Sequence, residues 1–356
     1  MDTNGVRRFI RKKIDEGLFT AASVTFGRSS GELFSVQEGQ LAKKIDRSVS
    51  ETTVFDLQSM TKALVTLPLF LALQKRNKLG LHTRVSEILG RSYPLDAKCA
   101  ADAELRHLLT HSSGFSDDDM EGDFETAHEL WQKIFTAPRH FPPGEGIEYS
   151  DANYRVLGKV IETVTGETLE CLGKRHVYPE LPGMAYLPLD PFDVAGCPDA
   201  HGTIDDEHVR LLGGIVGCDG LFASSRAIFK LVAELMKGHA AIGEPVGPVL
   251  ERNVVSSTAK VESYYDSLRA GPKTLGWEVA PAEFSYAGKF HTPSTFEKSG
   301  GAGTFVWFDP EADFIFVYLT NHGKPKPFDE KKWNRLIEEL APHDLSSLIH
   351  DSLAQS

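Results

Sequence analysis

The chain has 356 residues, of which 41% are hydrophobic and 25% are charged, a composition typical of a globular protein with a sizeable core. Its formal net charge of −12 repels phosphate backbones, so nucleic acid is not an expected partner. The longest apolar run, residues 63–73, is shorter than the ~20 residues that a membrane-spanning helix needs. The N-terminal segment has no apolar signal region, and a cytoplasmic location is therefore expected.

The first predicted elements are an amphipathic helix over residues 6–18, which ends at Gly17, and two strands over 21–26 and 32–36. The turn between the strands contains Gly27-Arg28-Ser29-Ser30-Gly31, which matches the G-x-S-x-G nucleophile elbow of α/β-hydrolases. An elbow joins a strand to a helix, whereas the residues after this turn alternate like a strand. We therefore interpret the string as a hairpin turn, and Ser29 is not the expected nucleophile.

The middle of the chain is predicted to be mainly helical. A buried helix begins near Ser59, and Pro68 predicts a kink near Leu64 because proline cannot donate to that carbonyl. Further helices are predicted over residues 104–110, 151–165 and 225–236.

Strand patterns return at the C-terminal end. Strands are predicted over residues 275–279, 304–308 and 314–319, and a closing helix over 331–340. Strands at both ends of the chain indicate an α/β (α+β) fold with one antiparallel sheet flanked by helices. Residues 1–55 and 275–356 are predicted to form the sheet subdomain, and 56–274 an inserted helical subdomain, with the site between them.

Ser59 and Lys62 lie one helical turn apart at the start of the buried helix, on the same face. A serine at a helix N-terminus is close to free backbone N–H groups that can stabilise an oxyanion. A lysine in an apolar setting has a depressed pKa and can act as a base for the serine. The simpler interpretation of this short string is an N-terminal capping serine with a lysine nearby.

Tyr149 follows a Gly/Pro turn and stands two residues before Asp151 at the start of a predicted helix, where Ser150 or Asp151 is the cap. Ammonium groups near the phenol would favour its anionic form, which could take the serine proton and return it to a leaving group. The alternative is a tyrosine that only packs beside the helix.

Lys298-Ser299-Gly300-Gly301 leads into a strand. Lys298 supplies positive charge, and Ser299 can bind a carboxylate or a carbonyl. The glycines allow a substrate to approach an edge strand, and the N–H of Gly301 is a candidate oxyanion donor. The alternative is a glycine-rich entry to a strand, and the run lacks the G-K-[ST] ending of a phosphate loop.

Together and in this order, Ser59-x-x-Lys62, Tyr149-x-Asp151 and Lys298-Ser299-Gly300 resemble the three motifs of the serine β-lactamase and penicillin-binding-protein superfamily. The chain looks closest to class C β-lactamases and the related carboxylesterases and D-amino-acid peptidases. Residues 105–115 (LRHLLTHSSGF), 212–222 and the 307–321 hairpin also resemble segments of that family.

The resemblance implies acyl transfer to Ser59 from a small ester, amide or peptide. Lys62 and Tyr149 would share the proton transfers, Lys298 would act on Tyr149 through its charge, and the N–H groups of Ser59 and Gly301 would bind the oxyanion. Asp151, Ser299 and Gly300 would contact the substrate. No organic cofactor or metal is implied, and His107 and His111, at i and i+4, lack a third ligand.

One position departs from the family pattern. Class C β-lactamases carry Asn where this chain has Asp151, and an ionised Asp accepts hydrogen bonds but cannot donate one to a substrate amide. This departure favours a small-ester carboxylesterase. The alternatives are a β-lactamase, D-Ala-D-Ala carboxypeptidase or D-aminopeptidase, which the Lys298 motif favours, and a non-catalytic binding module of the same fold.

Overall fold

A computed structural model describes residues 3–354, except 32, 44, 91–101, 121, 180, 187–188, 191–192, 199–201 and 327. The strands are β1 (Ala21–Gly27), β2 (Leu33–Ala42), β3 (Ile45–Ser48), β4 (Val54–Asp56), β5 (Met184–Ala185), β6 (Val194–Ala195), β7 (Phe222–Ala223), β8 (Phe296–Gly300), β9 (Thr304–Asp309) and β10 (Phe314–Thr320). Two sheets result, a six-stranded sheet in the order β3-β2-β1-β10-β9-β8 and a small sheet in the order β5-β7-β4-β6.

The helices are α1 (Asn4–Asp15), α2 (Leu67–Lys75), α3 (Val85–Leu89), α4 (Leu105–Leu109), α5 (Ala127–Thr136), α6 (Asp151–Thr165), α7 (Leu169–His176), α8 (Glu207–Leu211), α9 (Ser225–Lys237), α10 (Val246–Glu251), α11 (Tyr264–Ala270), α12 (Glu330–Leu340) and α13 (Pro342–Ala354). Helices α2 to α11 come from the middle of the chain. The remaining three belong to its two ends, as do all strands of the large sheet.

The large sheet is antiparallel throughout. Its strands β1, β8, β9 and β10 are buried, whereas β2 and β3 are partly exposed. Along β10, Phe316 and Tyr318 face the core formed with α1, α12 and α13, whereas Val317 and Leu319 face the core shared with the helical region. This division follows from the two-residue period of a strand. The predicted α+β fold, with its sheet built from both chain ends, is confirmed.

At the position of the predicted kink, the buried helix has a π-helical segment, Lys62–Thr66, which leads into α2. Pro68 has no N–H to donate to the Leu64 carbonyl, and the N–H of Leu67 instead donates to the Lys62 carbonyl, five residues back. Wider turns of this kind often occur at functional sites, and this one carries Lys62.

Two sequence predictions near the C-terminus need correction. Residues 275–279 do not form a strand, because Gly276 has a φ of +75° and among them only Glu278 makes isolated bridges, to Lys273 and to Glu297 in β8. The chain also does not close with the helix over 331–340. Ala341 takes a φ of +47°, which ends α12, and Pro342 then begins α13, a favourable first position for proline.

Candidate active site

Ser59 lies just after a sharp turn between β4 and the buried helix. Asp56, the last residue of β4, accepts the N–H of Gln58 at 3.1 Å, and Gln58 has a φ of +44°. The carbonyl of Gln58 then accepts the N–H of Thr61 at 2.9 Å. No acceptor among the described residues takes the backbone N–H of Ser59, which leaves this donor free.

Lys62 is fully buried and brings three of the predicted residues together. Its Nζ lies 2.8 Å from Ser59 Oγ, 2.8 Å from Tyr149 Oη and 2.6 Å from Asp151 Oδ1. One ammonium group therefore contacts the candidate nucleophile, the candidate base and a carboxylate. These contacts unite motifs that are far apart in the chain.

The predicted low pKa of Lys62 is wrong. Burial acts to lower the pKa of this ammonium, but the Asp151 carboxylate, with Tyr149, outweighs burial and holds the pKa well above its ordinary value. Lys62 is therefore a cation in the resting site. The sequence-based argument considered the apolar helix around Lys62 and omitted the carboxylate that pairs with it.

Tyr149 is held at its backbone and by contacts around its ring. Its N–H donates to the Arg269 carbonyl at 2.8 Å, and its ring stacks on His111 with 4.3 Å between centroids. The Nζ atoms of Lys62 and Lys298 lie 4.9 and 4.7 Å from its ring centroid. Two ammonium groups therefore lie close to the phenol ring. The sequence motifs suggested this proximity, and the distances come from the structure.

Asp151 begins α6, and Ser150 is the N-cap that accepts the N–H of Ala152. Burial acts to raise the pKa of the Asp151 carboxyl, but the positive charges of Lys62 and Arg155 outweigh burial and lower it. The carboxylate is ionised and faces cations, so it offers no hydrogen-bond donor to a substrate.

Lys298 and Ser299 lie in β8, at the edge of the large sheet as described. Lys298 Nζ pairs with Glu278 Oε1 at 2.5 Å and contacts Tyr149 only across the face of the ring. Ser299 Oγ accepts a long hydrogen bond of 3.4 Å from Tyr286 Oη and lines the cavity at Ser59. Its hydroxyl is therefore available to a ligand.

The two glycines after Ser299 are required by close neighbours. A Cβ on Gly300 would overlap the Leu57 carbonyl oxygen, and one on Gly301 would lie 2.7 Å from Gln58 Oε1. The first contact shows that Gly300 allows β8 to approach the chain beside the nucleophile. The N–H of Gly301 has no acceptor within the described part of the chain, so both predicted oxyanion donors are free.

These groups open into one cavity of about 400 Å³, within the usual size range of small-molecule sites. The predicted residues that line it are Ser59, Tyr149, Asp151, Ser299 and Gly301. Lys62 and Lys298 lie behind this surface, since both are almost fully buried. The candidate nucleophile, one candidate base and one candidate oxyanion donor are thus accessible to the same ligand.

Sequence reasoning missed four residues that position this site. Asp117 accepts the backbone N–H of Asp151 at 2.9 Å, Glu278 pairs with Lys298, and Gln58 forms the turn before the nucleophile. His111 Nδ1 accepts the N–H of Ser150 at 3.2 Å, and burial, with nearby lysines, keeps the pKa of His111 well below its ordinary value. The segment LLTHSSG, which resembles a family segment, could have indicated a role for His111. The sequences around the other three residues contain no motif that would have indicated a role for them.

The His107 and His111 pair and the G-x-S-x-G string at Ser29 both have structural explanations. Helix α4 ends at Leu109, so His107 and His111 do not share a helix face, and His111 packs against Tyr149 instead. Ser29 lies in the β1–β2 hairpin turn, where its Oγ donates to Asp313 Oδ1 at 2.5 Å. The interpretation of this string as a hairpin turn is confirmed by the antiparallel pairing of β1 with β2.

In the described part of the chain, no group of three or more His, Cys, Asp or Glu residues is placed to hold a metal ion. No described helix is long and apolar enough to span a membrane.

Comparison with known proteins decides the family. A family model described as Beta-lactamase matches residues 6–341. The chain belongs to the Beta-lactamase family. This membership confirms the resemblance of its motifs and makes the protein a β-lactamase-related serine hydrolase.

Individual relatives of this Beta-lactamase-family protein carry different activities in their names. An Escherichia coli K12 protein, named provisionally as a D-alanyl-D-alanine carboxypeptidase, is 24% identical over 383 aligned positions that cover 94% of this chain and 86% of that protein. Esterase EstB of Burkholderia gladioli is 32% identical over 155 positions, 38% of this chain and 39% of that protein. The structure of EstCE1, a hydrolase with promiscuous acyltransferase activity, superposes with a TM-score of 0.73 at 23% identity, covering 95% of this chain and 98% of that one.

Proposed function

We propose that this hydrolase cleaves small esters through an acyl-enzyme on Ser59. The observation that carries this proposal is the ion pair between Lys62 and Asp151 beside the nucleophile. The ionised carboxylate cannot donate to an amide carbonyl of a peptide or β-lactam side chain. A simple ester has no such amide group and loses nothing by this arrangement.

In the first half of the proposed reaction, which requires Tyr149 as its phenolate, Ser59 Oγ bonds to the ester carbonyl carbon, and its proton passes to the phenolate oxygen of Tyr149. Lys62 Nζ contacts both oxygens and stays cationic, so it aligns them and provides the path between them. The negative charge that develops on the carbonyl oxygen is bound by the N–H groups of Ser59 and Gly301.

The ester C–O bond then breaks, and the leaving alkoxide takes the proton from Tyr149. Water attacks the acyl-enzyme in the same way, giving its proton to Tyr149 and releasing the acid, while Ser59 regains its proton. Lys298, 4.7 Å from the Tyr149 ring centroid, stabilises negative charge on the phenol. Ser299, with its accessible hydroxyl, contacts the substrate.

A second candidate function is that of a β-lactamase, a D-Ala-D-Ala carboxypeptidase or a D-aminopeptidase. The intact Lys298-Ser299-Gly300 motif, of which Ser299 lines the cavity, favours it, as does the name of the Escherichia coli relative. The alternative of a non-catalytic binding module is disfavoured, because Ser59, Lys62 and Tyr149 keep short mutual contacts.

We also propose that residues 1–55 with 275–356, and residues 56–274, act as two subdomains of one catalytic unit. In support, Ser59, Lys62, Tyr149 and Asp151 come from the second part and Lys298 to Gly301 from the first.

The test is a parallel assay of p-nitrophenyl esters, a chromogenic cephalosporin and D-Ala-D-Ala peptides. We expect the esters to have the highest kcat/KM. Ser59→Ala should lose activity by several orders of magnitude, because only oxyanion and binding contributions remain. Ser29→Ala is the matched control and should be nearly as active as the wild type. Near-normal turnover by Ser59→Ala would disprove the assignment, and a large loss in Ser29→Ala would assign the nucleophile to the β1–β2 turn.

A further inference from the structure

Gln58 carries a side-chain amide that has no hydrogen-bond partner among the described residues. The residue is 2% exposed, and its Nε2 is buried with no hydrogen-bond acceptor in the described structure. Its Oε1 is likewise unbonded within the described residues. An unbonded amide in a buried position costs free energy, since it has given up its hydrogen bonds to water.

The backbone at Gln58 carries a second cost. Its φ of +44° lies in the left-handed region, which glycine adopts readily and residues with a Cβ do not. A glycine would therefore suit this turn better than glutamine. Strained residues of this kind cluster at functional sites, and here the strained residue directly precedes Ser59.

The amide is also placed at the reacting groups. Gln58 lines the same cavity as Ser59 and Gly301, and its Oε1 occupies the space where a Cβ on Gly301 would be. A half-turn of the terminal amide exchanges Oε1 and Nε2, and it breaks no hydrogen bond to a described residue. The half-turn brings the N–H donors beside Gly301, on the oxyanion side of the nucleophile.

No other carboxamide is found among the described residues that line this cavity. Asp151, which stands where related enzymes have an amide donor, is an ionised acceptor already engaged by Lys62. Among the described side chains that line this cavity, Gln58 is therefore the one that can offer a substrate oxygen a carboxamide donor, with two N–H groups and no net charge.

We propose that Gln58 determines specificity by donating a hydrogen bond to a second carbonyl oxygen in the acyl group of the substrate. The preferred esters then have short acyl groups that carry a ketone or amide carbonyl near the scissile one. This inference rests on the proposed esterase function and deepens it by naming the acyl class.

The test compares p-nitrophenyl 4-oxopentanoate with p-nitrophenyl pentanoate, which has the same chain length but no second carbonyl. After correction for spontaneous hydrolysis, the wild type should have the higher kcat/KM for the 4-oxo ester. In Gln58→Ala and Gln58→Glu this preference should fall by about 3- to 10-fold, the effect of one neutral hydrogen bond. Pentanoate hydrolysis by Gln58→Ala should change by less than the preference does.

Gln58→Gly separates binding from folding. Glycine relieves the φ strain and removes the unbonded amide, so the melting temperature should equal or exceed that of the wild type while the preference falls as in Gln58→Ala. A purely structural glutamine would instead give a lower melting temperature and an unchanged preference. That result would overturn the proposal.

Two further outcomes are distinguishable. If both esters lose the same factor in Gln58→Ala, the amide acts on the oxyanion or on the fold, and the specificity proposal is wrong. If the wild type hydrolyses neither ester, the proposed esterase function is wrong. The specificity proposal is then tested separately, by measuring ligand binding to the Ser59→Ala protein. Saturation-transfer NMR with 4-oxopentanamide and pentanamide should show a Gln58-dependent preference for the former, and equal binding would refute the specificity role by itself.

Discussion

Replacing Asp151 by Asn removes the charge that pairs with Lys62 and keeps an acceptor oxygen in the same place. The Lys62 Nζ to Asp151 Oδ1 distance is 2.6 Å, and at an effective dielectric constant of about 20 two unit charges at this distance attract by about 6 kcal/mol. Removing one partner of a buried pair typically costs 3–5 kcal/mol. Part of this loss is offset, because the pKa of Asp117, raised first by burial, is raised further by repulsion from Asp151, and the substitution removes that repulsion. We expect the free energy of unfolding at pH 7 to fall by about 3 kcal/mol.

The stability loss should depend on pH with a definite sign. The folded pKa of Asp151 is lowered from its ordinary value of 3.8, so the carboxylate stabilises the protein above that value, and the contribution is lost as the pH falls through the folded pKa. The difference in the free energy of unfolding between the wild type and Asp151→Asn, measured by urea unfolding, should therefore be largest near pH 7. It should narrow as the pH is taken below 3.8.

Asp151→Asn should also change substrate preference. The Asn side chain presents N–H groups to the cavity, so an acylamino β-lactam gains a donor that a simple ester does not use. One neutral hydrogen bond corresponds to about a 10-fold rise in the kcat/KM ratio of a chromogenic cephalosporin to p-nitrophenyl butyrate. The assay is initial-rate hydrolysis of both substrates at the same pH.

Asp117→Asn is the matched control for this substitution. The substitution removes a carboxyl group next to Asp151 and keeps an oxygen that accepts the N–H of Asp151. Unlike Asp151, residue 117 makes no hydrogen bond to Lys62. This control should leave the substrate ratio unchanged. An unchanged ratio in a folded Asp151→Asn protein, or an equal rise in Asp117→Asn, would refute the reasoning.

Two further predictions concern buried carboxyl groups near β8. Glu278→Gln leaves Lys298, which is 1% exposed, without its anionic partner. The free energy of unfolding should therefore fall by about 3–5 kcal/mol. A loss below about 1 kcal/mol in urea unfolding would contradict the importance of this ion pair. Burial raises the pKa of Glu297 from 4.5 to about 8, so the folded state keeps a proton that the unfolded chain releases, and wild-type stability declines between these values by up to about 1.4 kcal/mol per pH unit. Glu297→Gln should flatten this decline in urea unfolding measured from pH 5 to 8, and an unchanged slope would exclude Glu297 as its cause.

Much of the fold was predictable because its signals are local. The alternation in β10 and the apolar spacing of α1 depend on neighbouring residues only. Strand β10 lies where it was expected, and α1 overlaps its predicted range but ends at Asp15, before Gly17. Failures occurred where one residue reversed a local trend. Gly276 and Ala341 adopt positive φ values, which broke an expected strand and separated two helices.

The sequence by itself determined the contact between Ser59, the proposed nucleophile, and Lys62, because the two are three positions apart and one turn of helix brings them together. It also determined the order of the motifs and therefore the family. Only the tertiary structure decided the charge state of the site. Asp151 reaches Lys62 across 89 positions of sequence, and a contact over that distance depends on how α6 packs against the π-helical segment. Folding also places Tyr149 on His111 and Gln58 beside Gly301. The electrostatic environment of the site is the sum of the groups that folding brings together, so local sequence cannot determine it.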